Sequence, residues 1–158
     1  MNDSYGGFWR RCLAFLIDQI ILYSIYFVFF LIGGLAYTFG HLAHGDLFSP
    51  GALPDMASWF MILYWGVVVI VTAIYFTCFV AITGQTPGKM VLGLKVVPLE
   101  DGIMTFGMAF LRWTGYIVST LFFYLGFIWI AFDSRKQGLH DKIAGTVVIR
   151  VARGAVHP

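Results

Sequence analysis

The sequence predicts an all-α membrane protein: two transmembrane helices, a third apolar stretch folded as a re-entrant or tilted helical hairpin, about four helical segments in all, and a short cytoplasmic two-stranded β element. Three observations carry this. Hydrophobic residues make up 59% of the 158 and charged residues 11%, with a mean hydropathy of +0.83, where a soluble domain carries about 25% charged residues. The apolar residues fall in long runs: 12–33 has Asp18 as its only charge, 57–82 has none, and 104–132 has only Arg112. The basic residues cluster at Arg10 and Arg11, at Lys89 and Lys95, and from Arg135 to Arg153, while 37–58 contains no Lys or Arg. Basic residues favour the cytoplasmic face. The three blocks and both termini are therefore expected in the cytoplasm of a multi-pass inner-membrane protein, with 37–58 outside. The length suits a single domain over 1–158.

Helix 1 is expected over about 9–33, ending near Gly33-Gly34. Its apolar run exceeds the roughly 7–15 residues of a signal-peptide core, so it reads as a retained span. Asp18 lies about 10 Å deeper than Arg11 along the axis. A carboxylate at that depth costs about 2.5–3.5 kcal/mol unless a partner or water meets it, and Arg11 is too far along the helix to be that partner. The outside loop, 37–58, carries the breakers Gly40, Gly45, Pro50, Gly51 and Pro54. His41, His44 and Asp46 lie close together there, but without a further fixed ligand they do not read as a metal site. Helix 2 is expected over about 57–82, with Trp59, Tyr64, Trp65 and Tyr75 as lipid-facing or packing aromatics.

The stretch GQTPGK at 84–89 superficially resembles a phosphate loop. It has three residues before GK where a Walker motif has four, and Met90 follows instead of Ser or Thr, so no nucleotide is expected. Its local chemistry is that of a helix start, with Thr86 as N-cap and Pro87 at the first position. A short helix then lays Met90, Val91 and Leu92 on the membrane surface, Gly93 ends it, and 94–97 reads as a strand. This gives a cytoplasmic helix and strand over 86–98.

The apolar stretch 104–132 decides the topology. A single crossing would place the basic tail, 133–158, outside. A hairpin over about 105–132, with arms of about 18–22 Å, keeps the tail in the cytoplasm. Arg112 then lies inside the bundle as the first choice of partner for Asp18, or else snorkels to the interface. The tail reads as a polar turn, a short helical or irregular piece at 138–143 and a strand at 146–151 that can pair with 94–97 only on the same side. His140-Asp141 lacks a second His/Asp set for metal hydrolysis. Asp141 is expected to pair with Arg10, Arg11 or Lys89.

Together the blocks GFWRRCLAFLIDQII, TGQTPGKMVLGLKVV and FIWIAFDSRKQGLHDKIAGTVVIR resemble the RDD family of small multi-pass membrane proteins. The family is named for one arginine and two aspartates; Arg11 and Asp18 match the first two, and Asp141 is the best assignment for the third. The resemblance implies transport of a small ligand, some members being described as sodium–proton antiporters.

Two functions follow as expectations. In one, the protein transports a small ligand or exchanges a monovalent cation for a proton at Asp18, with Arg11 or Arg112 tuning that carboxylate. In the other, Arg11, Asp18, Arg112 and Asp141 form a buried network that fixes helix packing in a structural or assembly subunit. Thr86, Pro87, Gly88, Lys89 and His140 are motif residues with structural roles. No enzyme chemistry, metal or cofactor is expected. The expected partners are the lipid bilayer, further copies of the chain or another membrane protein, and not nucleic acid.

Overall fold

A computed structural model describes residues 5–45, 52–100, 102–121, 129–130, 133 and 136–151. The elements run α1 (Phe8–His44), α2 (Ala52–Thr83), α3 (Pro87–Val91), β1 (Leu94–Pro98), α4 (Phe106–Leu121), α5 (Leu139–Ile143) and β2 (Thr146–Arg150). They form two compact units, one of 1–19 with 73–158 and one of 20–72.

The unit of 20–72 consists of the apolar lengths of α1 and α2. Phe8–His44 and Ser58–Thr83 are each long and apolar enough to cross a membrane. α1 does not end at Gly33-Gly34, and Gly40 is not a breaker, because the 37-residue helix continues to His44. Lipid offers no partner for a freed backbone group, so glycines there stay helical, and the Phe60 ring lies over the small surface of Gly33 and Gly34. The helix stops where Gly45 adopts a positive φ of 75°. Pro54 falls in the first turn of α2, where a missing N–H breaks no helical bond. The expected loop is therefore shorter than 37–58, and 46–51 lies outside the described residues.

The other unit is built on pairing across the chain. β1 and β2 are antiparallel, with Val96 opposite Val148, and Tyr5 bridges to Ile149 on the other edge of β2. Ala14, Val80, Leu94, Val96, Ala109 and Val148 form its core, drawn from α1, α2, β1, α4 and β2. Thr86 caps α3 as expected, its hydroxyl accepting from Lys89 N at 3.4 Å, with Pro87 opening the helix and Met90 and Val91 exposed. The 16 residues of α4 cover the first part of the apolar stretch 104–132. Further along the same stretch Trp129 and Ile130 are helical, and 122–128 and 131–132 lie outside the described residues. α5 crosses α4 at Gly115, where an added Cβ would come within 2.7 Å of His140 Cα.

Candidate functional site

Asp141 is fully buried between two guanidinium groups. Arg11 Nη1 donates to Oδ2 at 2.6 Å, and Arg112 Nη1 donates to Oδ1 and to the Thr146 hydroxyl. The Gly138 N–H reaches Oδ2 at 3.0 Å, so the carboxylate also ties off the start of its own helix. Arg11 spreads its remaining donors to the carbonyls of Gly6 at 2.8 Å and Val148 at 3.4 Å. One arginine on α1 thus clasps the N-terminal segment, β2 and α5. Burial alone would raise the Asp141 pKa, but Arg112 and Arg11, with the Gly138 N–H, hold it well below the usual carboxylate range. Next to it, burial pushes His140 down to about 3, and Arg112, Arg11 and Lys89 work in the same direction. His140 Nε2, 3.5 Å from Asp141 Oδ1, is therefore a neutral neighbour rather than an ion-pair partner at neutral pH.

Asp18 is a separate centre. Its Oδ1 accepts from the Tyr75 hydroxyl at 2.9 Å and from Gly88 N at 2.8 Å, and its Oδ2 accepts from the Thr86 hydroxyl. All three donors are neutral. Gly88 is required by the approach: a Cβ there would collide with the Ala14 carbonyl and lie 2.9 Å from the Asp18 carboxylate. The TPG of GQTPGK is thus a docking piece whose threonine and glycine are read by an aspartate on α1.

A cavity of about 270 Å³ lies between these centres. Phe8, Cys12, Phe15, Ile130 and Val148 supply apolar wall, and Arg11, Lys89 and Arg112 bring three cationic side chains to it. Asp18, Tyr116 and His140 complete the lining. Lys89 is 7% exposed. Its ammonium meets the Tyr116 hydroxyl at 3.5 Å, and Arg112 Nη2 meets the same oxygen at 3.4 Å.

The sequence-predicted residues are divided between the two clusters. Asp141 takes Arg11 from its three expected partners, and Arg10 is exposed. The pairing of Arg112 with Asp18 is corrected, as is the snorkelling alternative: Arg112 is 1% exposed and bound to Asp141. Asp18, on α1, has its oxygens filled by three neutral donors, whereas each oxygen of Asp141 takes one guanidinium, Arg11 on Oδ2 and Arg112 on Oδ1. Tyr75 packs against Phe76 and Phe79, as a packing aromatic is expected to, and its hydroxyl also donates to the buried Asp18 carboxylate. Tyr116 and Thr146 were invisible as site residues. The one sequence signal for Tyr116 is its i+4 spacing from Arg112.

Two apolar helices of spanning length, joined at the start of the first to a buried set of arginines and aspartates, define an integral membrane protein. The chain belongs to the RDD family, whose profile matches residues 5–145. It is 31% identical over 156 residues to the uncharacterized membrane protein YteJ of Bacillus subtilis strain 168, covering 94% of this chain and 83% of that one. It is 33% identical over 156 residues to the uncharacterized protein YxaI of the same organism, covering 91% and 96% of the two chains. A shorter match, 33% over 69 residues, is to a proline-rich antigen homolog of Mycobacterium tuberculosis, covering 43% of this chain and 29% of that one. No solved structure matches the chain.

Proposed function

We propose that this RDD-family membrane protein transports a small ligand that binds in the cavity beside Lys89, without chemical change. The buried Arg/Asp set serves as the scaffold that shapes that cavity. The carrying observation is the charge at the cavity: Arg11, Arg112 and Lys89 line it with Asp18 as the one carboxylate among the described lining residues, and Asp141 pairs with the two arginines. Both carboxylates are already engaged by donors within the chain. Such a wall repels a monovalent cation and favours an anion, so the geometry argues for ligand transport over cation–proton exchange at Asp18. In this reading the basic blocks and both termini face the cytoplasm, and the chain re-enters the membrane as a hairpin over about 105–132, with α4 as its first arm. The antiparallel β1–β2 pairing, which brings the two ends of that stretch together, supports the hairpin. Two spanning helices enclose little pathway alone, so a homo-oligomer belongs to the same reading.

Proteoliposome flux tests it. Wild-type protein is expected to move an anionic solute and to leave sodium-coupled proton flux at background. Robust sodium–proton exchange that disappears in Asp18→Asn would replace this reading with the antiporter. A second reading, a structural or assembly subunit, is favoured by the complete engagement of Asp18 and Asp141 within their own chain. It predicts no flux of any solute, together with loss of a copurifying membrane partner when Asp141 is replaced.

A further inference from the structure

Resting on the ligand-transport reading of this cavity, we infer that its ligand is a single-tailed amphiphile with a monoanionic head, whose charge is received between Lys89 and Arg112. The first argument is charge. A buried ammonium without a carboxylate is costly, because desolvation is not offset by an opposite charge. Among the described residues Lys89 is in that position: its ammonium meets a phenol oxygen at 3.5 Å, a distance at the limit of hydrogen bonding, and no carboxylate. Asp141 is committed to Arg11 and Arg112, and Asp18 to Tyr75, Thr86 and Gly88. With His140 neutral, three cationic side chains line the cavity, and among the described residues they are met by two carboxylates, Asp18 on the wall and Asp141 paired with the two arginines; one negative charge completes the balance.

The second argument is unspent donors in one place. Arg112 Nε, in a residue only 1% exposed, has no hydrogen-bond partner among the described residues. The Lys89 ammonium and Arg112 Nη2 converge on the single oxygen of Tyr116, neither closer than 3.4 Å. An anionic oxygen placed beside that hydroxyl would accept from both cations, and such charge-assisted bonds are about twice as strong as neutral ones. Asp18 also borders the cavity, and its three donors keep its charge directed into the protein.

The third argument is the rest of the wall. Phe8, Phe15, Ile130 and Val148 present hydrocarbon to the same space, which suits an alkyl chain and is wasted on a hydrated inorganic ion. A volume of about 270 Å³ lies just below the usual range of about 300–1,000 Å³ for small-molecule sites. It accommodates a head and part of one chain, not two chains. A fatty carboxylate and a single-chain phosphodiester lipid share this chemistry.

The test uses the full chain purified in a neutral maltoside detergent, with a fluorescent polyene fatty acid as the bound probe. Laurate is expected to displace the probe at least tenfold more effectively than its uncharged methyl ester or a dodecyl ammonium salt. Lys89→Gln is expected to weaken laurate tenfold or more, while Lys89→Arg restores it. Lysophosphatidylglycerol displacing the probe at least tenfold more effectively than laurate retains the monoanionic amphiphile and assigns the lipid phosphodiester as its source. Equal displacement by charged and uncharged heads refutes the inference, even if Lys89→Gln fails to fold, because the wild-type series decides it. Charge-selective binding without flux in liposomes would leave the inference standing and remove the transport reading. Flux of small hydrophilic anions without amphiphile binding would do the reverse.

Discussion

The two units of this chain put their polar groups to opposite uses. In the unit of 20–72, exposed side chains are large and apolar: Tyr23, Phe27, Trp59, Ile62 and Trp65 are each at least 60% exposed. Leu22 and Tyr26 are its buried members among the described residues. Aromatic contacts such as Phe30 with Phe60 and Tyr64 hold it. In the unit of 1–19 with 73–158, every buried polar or charged residue found among the described residues is gathered, including Arg11, Asp18, Lys89, Arg112 and Asp141. The difference follows from solvent. Where lipid surrounds a helix, apolar side chains point outward without cost and packing alone discriminates between arrangements. Where short elements of five residues must be held together, a small apolar core is insufficient and directional bonds locate each piece.

The largest test of that contrast is Asp141→Ala. Two buried guanidiniums lose their common partner, a loss of about 3–5 kcal/mol by analogy with broken buried pairs. Thermal unfolding in detergent is expected to occur well below the wild-type temperature, with most helical circular dichroism retained because the long apolar helices do not depend on this carboxylate. An unchanged melting temperature would mean that the ion cluster does not hold its unit together.

Next comes Gly88→Ala. Its added Cβ collides with a backbone carbonyl and not with a flexible side chain, so the cost belongs near the top of the range of about 1–3 kcal/mol for overpacking. A stability equal to wild type would show that the TPG segment does not dock on α1 this closely.

Third is pH. His140 has a folded pKa lowered to about 3, against about 6.5 for a free imidazole. As pH falls below about 6.5 the unfolded chain takes up a proton that the folded chain refuses, so stability declines with acidification and the decline ends near the folded pKa. From pH 6.5 to 5 this one site removes roughly 1–2 kcal/mol. Asp141, with its pKa also depressed, adds a loss of the same sign only at more acid pH, below the ordinary carboxylate value. Melting temperatures across pH 5–6.5 are expected to slope in wild type and to flatten in His140→Phe; parallel slopes would assign the acid sensitivity elsewhere.

What the sequence revealed divides along the same line. Thr86-Pro87, the β-branched run at 146–150 and the charge-free run of α2 are local signals, and the structure bears them out. The partners of Asp18 lie 57 to 70 positions away and Arg11 is 130 from Asp141, separations at which periodicity and spacing carry no information. The burial of Arg112 is legible in the apolar stretch around it, but its direction, toward Asp141 and not Asp18, is not. The end of helix 1 was misread for a different reason: Gly33-Gly34 breaks a helix in water, whereas lipid, with no hydrogen bonds to offer, holds it helical.

The smallest effect is expected within the lipid-facing unit itself. Tyr26 is buried and its hydroxyl meets the Thr72 hydroxyl, whose own donor reaches the Val68 carbonyl at 2.6 Å. Tyr26→Phe removes one hydroxyl and leaves the ring, the aromatic contact with Tyr23 and the Thr72–Val68 bond in place. Interhelical hydrogen bonds in membranes average only about 0.6 kcal/mol, because the separated helices find substitutes. The variant should therefore melt close to wild type, and a double-mutant cycle with Thr72→Val should give a coupling energy of about that size. A coupling comparable to the loss in Asp141→Ala would erase the distinction between the units, since it would mean that polar bonds govern the apolar helices as they do the short elements around Asp141.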